Sequence, residues 1–125
     1  MDIDVIREYC LKKEGKITEG MPFGEDVLVF KVEGRIFLLM RLMQRPLTIN
    51  LKCDPERALE LRERYESVLP GYHMNKKLWN TVILDGKIPA KEVYGMIDHS
   101  YDEVSKGIRK AKRTPAKRQN RRRGT

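Results

Sequence analysis

Two apolar runs flanking Glu33-Gly34 constrain this chain more than any other feature. Val27-Leu28-Val29-Phe30-Lys31-Val32 and Arg35-Ile36-Phe37-Leu38-Leu39-Met40-Arg41-Leu42 are rich in β-branched and aromatic residues, and only the Glu-Gly pair separates them. With glycine at its second position, that link can reverse the chain tightly, which predicts an antiparallel hairpin. A third strand is expected over Leu47-Thr48-Ile49-Asn50-Leu51-Lys52-Cys53, where apolar and polar residues alternate. The alternation predicts that Leu47, Ile49, Leu51 and Cys53 face a core and that the opposite face meets solvent.

At Asp54-Pro55 the period changes from two to that of a helix. Asp54 is a natural N-cap and Pro55 suits a first helical position. Ala58, Leu61, Tyr65 and Val68 then share a stripe, so a helix is expected over about 55–67. An earlier helix is expected over about 3–14, capped by Asp2, with Ile3, Ile6 and Cys10 at helical spacing and Gly15 as its stop. Leu69-Pro70-Gly71 reads as a turn, a short strand follows at Thr81 to Leu84, and Asp85-Gly86 turns the chain again. A last helix begins near Pro89, with Val93, Ile97, Ser100, Val104 and Ile108 on one face. The order is helix, three strands, helix, one or two strands, helix. Hairpins dominate and no βαβ repeat occurs, so the expected class is α+β, a two-layer sandwich with helices packed on an antiparallel sheet.

Charge is distributed unevenly along this plan. Ten of the 26 Lys and Arg residues lie between Lys106 and Thr125, which contains no acidic residue, so the preceding body has 16 basic against 18 acidic side chains and a formal charge of −2. The division is a globular domain over 1–108 and a basic tail over 109–125, with disorder expected beyond Thr114-Pro115 for lack of apolar surface. A polycationic segment on a near-neutral body points to a polyanionic partner, DNA before RNA. The opening Met1-Asp2-Ile3-Asp4 lacks a basic and apolar leader, and no apolar run approaches a membrane span, so a cytoplasmic protein without membrane contact is expected.

The densest polar and aromatic group in the body is Tyr72, His73, Asn75, Lys76, Lys77, Trp79 and Asn80. Lys76 and Lys77 suit phosphates and Trp79 or Tyr72 suits base stacking, whereas Trp79 could equally anchor the core. The expected nucleic-acid contacts are therefore Lys76, Lys77, Trp79, Arg109, Lys110, Lys112, Arg113, Lys117, Arg118, Arg121, Arg122 and Arg123. Asp98-His99-Ser100 contains the residue types of a hydrolase triad, but adjacent helical residues do not face one another. Cys10, Cys53, His73 and His99 lack metal-ligand spacing, and Gly20 to Asp26 matches no phosphate-binding loop and carries Glu25 and Asp26. No catalytic residue, metal or cofactor is expected.

Several phrases together resemble the MmcQ/YjbR-like family, small bacterial domains often described as DNA-binding. They are Met21-Pro22-Phe23-Gly24-Glu25-Asp26, the hairpin Val29 to Phe37, Leu51-Lys52-Cys53-Asp54-Pro55, Pro70-Gly71-Tyr72-His73-Met74-Asn75-Lys76, Trp79-Asn80 and Ser100-Tyr101, and they span about residues 3–105. The resemblance implies the order α-β(3)-α-β(2)-α, a fold related to secretion chaperones. It brings no catalytic residues and no established set of base contacts, and the Arg-rich tail lies outside it. The resulting expectation is a non-enzymatic, monomeric protein that binds nucleic acid with low sequence specificity. The alternative is a module that takes a peptide or protein partner on its chaperone-like sheet, the tail being incidental.

Overall fold

The computed structural model describes the backbone of residues 1–72 and 74–119, and side chains as far as Arg109. The elements are α1 (Ile3–Leu11), β1 (Ile17–Gly20), β2 (Val27–Val32), β3 (Arg35–Arg41), β4 (Leu47–Lys52), α2 (Pro55–Arg64), β5 (Val68–Pro70), β6 (Trp79–Leu84) and α3 (Ala90–Gln119). The six strands form one antiparallel sheet in the order β1-β2-β3-β4-β6-β5. The α+β class is as expected. The sheet has one strand more before α2 than the expected order, because β1 has only four residues and a single partly buried apolar side chain, Ile17, to announce it. Pro70, read as part of a turn, ends the edge strand β5, a position where its missing N–H is harmless.

The β2–β3 hairpin turns on Glu33 (φ 50) and Gly34 (φ 82), both left-handed, the type I′ geometry that matches the twist of the flanking strands. Beyond the turn, a bulge leaves Phe37 between the Lys31–Ile36 and Phe30–Leu38 pairs. Phe37 packs edge-on against Tyr101 of α3, with ring centres 5.6 Å apart. Asp2 and Asp54 cap α1 and α2, accepting from the amides of Val5 at 2.9 Å and Arg57 at 3.2 Å. Both helices stop about three residues earlier than expected, at Leu11 and Arg64.

All three helices pack on one face of the sheet. Ile6 and Cys10 of α1, Ala58 and Leu61 of α2, and Val93, Met96, Ile97, Val104 and Ile108 of α3 enclose Phe30, Leu38, Met40, Ile49, Leu51 and Val82. The register puts these strand residues on a common side, since Phe30 pairs with Leu38, Leu38 with Leu51, Met40 with Ile49 and Ile49 with Val82. Ser100, wholly buried, stitches α3 to the sheet backbone: its hydroxyl donates to the Phe37 carbonyl (2.6 Å) and accepts from the Lys52 amide (2.9 Å).

α3 continues without interruption across the expected 108/109 boundary and through Thr114-Pro115 to Gln119, where disorder was expected. Its packed first half supplies the nucleus, so each further residue adds only a propagation step, and Ala, Lys, Arg and Gln propagate well. Pro115 removes one backbone hydrogen bond from that run. Arg121, Arg122 and Arg123 lie outside the described residues. Among the described residues no helix is long and apolar enough to cross a membrane.

Candidate nucleic-acid interface

The seven-residue cluster between Tyr72 and Asn80 divides between the two faces of the sheet. Asn80 belongs to the helix side: it is 2 % exposed, and its Oδ1 accepts from Nε of Arg62 at 2.7 Å. Arg62 also donates to the carbonyls of Lys76 and Trp79, so α2 fixes the turn that follows Tyr72. Asn75 is a turn residue, its Oδ1 accepting from the Lys77 amide at 2.9 Å. His73 lies outside the described residues. Lys76 and Lys77 are exposed in this turn, while Trp79 is half-buried at the start of β6. Gly71 makes the approach possible, since a Cβ there would lie 2.8 Å from Cβ and 2.9 Å from the carbonyl oxygen of Trp79.

Tyr72 and Trp79 belong to the face without helices. Val29, Leu39, Asn50 and Thr81 are opposite one another in register across β2, β3, β4 and β6 and form its floor. Val29 and Leu39 are buried yet lie outside the helix-side core, and Asn50 is 1 % exposed. The expectation of a solvated second face on β4 is therefore corrected. Its strand is central, flanked by β3 and β6, and its polar side chains are engaged within the sheet. The Tyr72 amide donates to Oγ1 of Thr81 (3.1 Å), which donates in turn to Oδ1 of Asn50 (2.7 Å), and the Arg41 guanidinium sits 5.4 Å from the Tyr72 ring centre. Met21 and Pro22, in the loop after β1, share a shallow open concavity with Val29 and Lys31.

Electrostatically the sheet is one-sided. The only carboxylate in its six strands is Glu19, which the register places on the helix side, where Arg7 of α1 grips it at 2.7 Å. The guanidinium beside it holds the Glu19 carboxyl below its ordinary range. The opposite face carries Lys31, Arg41 and Lys52, which sequence reading passed over because each is a single cation in an apolar run. The signal that would have found them is the register, together with the near absence of Asp and Glu from the strands.

A second run of cations lies along α3. Arg109 is exposed, and Lys106, Lys110, Arg113 and Lys117 recur at i, i+4, i+7 and i+11, positions on one line along the helix, with Lys112 and Arg118 at positions off that line. At about 1.5 Å per residue the thirty residues of α3 extend about 45 Å, so this line reaches well beyond the sheet.

The remaining candidates have structural partners. Asp98 accepts from the Tyr9 hydroxyl at 2.6 Å and pairs with Lys13, whose ammonium also lies 4.9 Å from the Tyr9 ring centre and 5.4 Å from that of Tyr101. This group docks α1 on α3. His99 points elsewhere, its Nε2 accepting the Asp54 amide at 3.1 Å, and Ser100 binds sheet backbone. The three adjacent residues thus serve three separate contacts. Burial pushes the Cys10 thiol up to about 12 and the Cys53 thiol up to about 11, so neither is a thiolate at neutral pH. Among the described residues no group of three or more His, Cys, Asp or Glu side chains is placed to hold a metal ion.

Comparison with known proteins agrees with this fold. The chain is 32% identical over 104 residues to the uncharacterised Escherichia coli protein YjbR, covering 83% of this chain and 87% of the relative. It is 39% identical over 89 residues to the uncharacterised Escherichia coli protein YbdF, covering 71% and 73% respectively. The crystal structure of a Deinococcus radiodurans protein superposes with a TM-score of 0.79 at 42% identity, over 82% of this chain and 78% of that one. A Pseudomonas syringae protein gives 0.68 at 29% identity, over 80% and 96%. With the YjbR family model matching residues 11–103 as well, this chain belongs to the YjbR family.

Proposed function

We propose that this protein is a cytoplasmic, non-enzymatic nucleic-acid-binding protein of low sequence preference, acting on DNA more than RNA. The observation that carries the reading is the concentration of cations on the outer half of α3, where Lys106, Arg109, Lys110, Lys112, Arg113, Lys117 and Arg118 follow one another with no carboxylate among them. Phosphates attract such a helix regardless of sequence, and counterion release drives the association. Lys76 and Lys77, exposed in their turn, supply further phosphate contacts.

Fluorescence anisotropy of labelled duplex DNA between about 50 and 200 mM salt tests this. Five phosphate contacts give a log–log slope of about −4 to −5. Replacing Lys110, Arg113 and Lys117 together by Gln should flatten that slope by roughly 2 to 3. Unchanged affinity and slope would remove α3 from the interface. The edge strand β1 beside the concavity of Thr18, Met21, Pro22 and Val29 favours a second reading, peptide capture by strand addition. Capture of a labelled extended peptide that persists undiminished at high salt, with no binding of the duplex, would select it.

A further inference from the structure

We propose that the helix-free face of the sheet is a second binding surface, one that holds unpaired nucleotides. This deepens the nucleic-acid reading and rests on it. The occupant follows from the chemistry of the face. Lys31 and Lys52 stand toward one end of the strands and Arg41 toward the other, and no strand contributes a carboxylate to this side. A polyanion is therefore favoured across its width. Lys31 on β2 and Lys52 on β4 are two inter-strand spacings apart, about 10 Å, so the cations border a path longer than one nucleotide.

Beside these cations, toward β6 and β5, the face offers aromatic rings. Tyr72 is 58% exposed, with the Arg41 guanidinium near its ring, and Trp79 is half-buried beside Lys52, its cross-strand partner. Rings of this kind stack on any base whose own faces are open. In a duplex those faces are already stacked on neighbouring bases, so a duplex cannot use them without distortion. Base edges find little to read here, because the Thr81 hydroxyl is engaged by Asn50 and Tyr72, and that of Thr48 donates to the Pro46 carbonyl at 3.3 Å. The face thus combines charge and stacking without edge recognition. That combination selects a single strand over a duplex and ignores its sequence. α3 packs on the other side of the sheet, so its cations and this face can be tested apart.

Trp79 is the only tryptophan and reports directly on the face. The experiment titrates the full chain and its Lys110→Gln/Arg113→Gln/Lys117→Gln variant with thymidine and uridine oligonucleotides of roughly twelve residues, within the usual site sizes for single strands, and with a duplex of equal length. Tryptophan fluorescence and anisotropy are both read. Single strands should quench Trp79 in both proteins, the duplex should not, and the two oligonucleotides decide between DNA and RNA. Tyr72→Ala should weaken single-strand binding at least about fivefold, the loss of one stacked base, while Tyr72→Phe should retain it. Lys31→Gln/Arg41→Gln/Lys52→Gln should abolish the quenching, with thermal melting confirming the fold. Duplex binding through α3 without single-strand quenching of Trp79 would overturn this inference and leave the broader reading standing. Binding of neither form would overturn both.

Discussion

The two faces of the sheet exclude water by different means. On the helix side, whole elements press rigid apolar side chains onto the strands, and Ile6, Phe30, Leu38, Met40, Ile49 and Ile97 reach zero exposure. On the other side, where no helix packs, Asn50 is nearly as buried, and what meets it and its neighbours is individual groups: the Thr81 hydroxyl, which also receives the Tyr72 amide, and the Tyr72 ring beside the Arg41 guanidinium. A helix leaves its face only when the domain unfolds. A side chain can rotate within nanoseconds, so the second face can open without the domain unfolding. Burial on one face thus depends on the whole fold, and burial on the other on local conformation.

Core truncations give the largest test of this contrast. Ile97→Ala removes a wholly buried side chain gripped between α3 and the sheet and should cost about 3 kcal/mol or more, because helices on a sheet cannot collapse into the space. Leu39→Ala, on the other face, should cost about 2 kcal/mol or less, since nearby loop and long side chains can settle into the gap. Urea denaturation of both variants measures the difference. Equal losses would mean that the second face is as rigid as the first.

Hydrogen bonds provide a smaller version of the same comparison. Ser100→Ala strands the Phe37 carbonyl and the Lys52 amide beneath α3, where water cannot replace the hydroxyl, and should cost about 2 kcal/mol. Thr81→Val strands Asn50 and the Tyr72 amide beneath movable side chains, and should cost about 1 kcal/mol. Amide exchange at Lys52 and Tyr72 in the two variants would show whether water enters the second face more readily. If the Thr81 variant is the less stable of the two, the second face is held together by its polar row and the contrast drawn above fails.

These differences also explain what could be read from the sequence. The Val27–Leu42 hairpin, the core face of β4 and both N-caps were legible because each rests on local chemistry: a two-residue turn, a period of two, an Asp preceding a helix. β1 was not, since four edge residues with one half-buried Ile carry no periodic signal. Lys31, Arg41 and Lys52 were not either, because their sharing of a face is fixed by pairing across strands distant in sequence. Lys76, Lys77 and the cations of α3 could be found as runs of charge. Asn80 shows what a grouping by sequence cannot resolve. It stands in the same polar and aromatic cluster as Lys76 and Trp79, yet its side chain is held beneath α2 by Arg62.

The smallest effect tests how firmly the helix side is pinned, and it depends on pH. Burial holds His99 below its ordinary pKa, Arg57 and Lys106 reinforce this, and Glu103 and Asp54 oppose it. The neutral ring accepts the Asp54 amide at the start of α2, which an imidazolium cannot do through the same nitrogen. In the unfolded chain His99 titrates near about 6.5, so above that pH neither state binds the proton and the contribution is complete. As pH falls below about 6.5 the unfolded chain takes up the proton first, and stability declines until the folded-state value is passed. Denaturant midpoints between about pH 5 and 7.5 should therefore fall with acid more in the parent protein than in His99→Gln, which lacks the titrating ring. Parallel pH profiles for the two proteins would show that the α2–α3 junction tolerates a charged imidazole, and that the helix side has more freedom than its buried core implies.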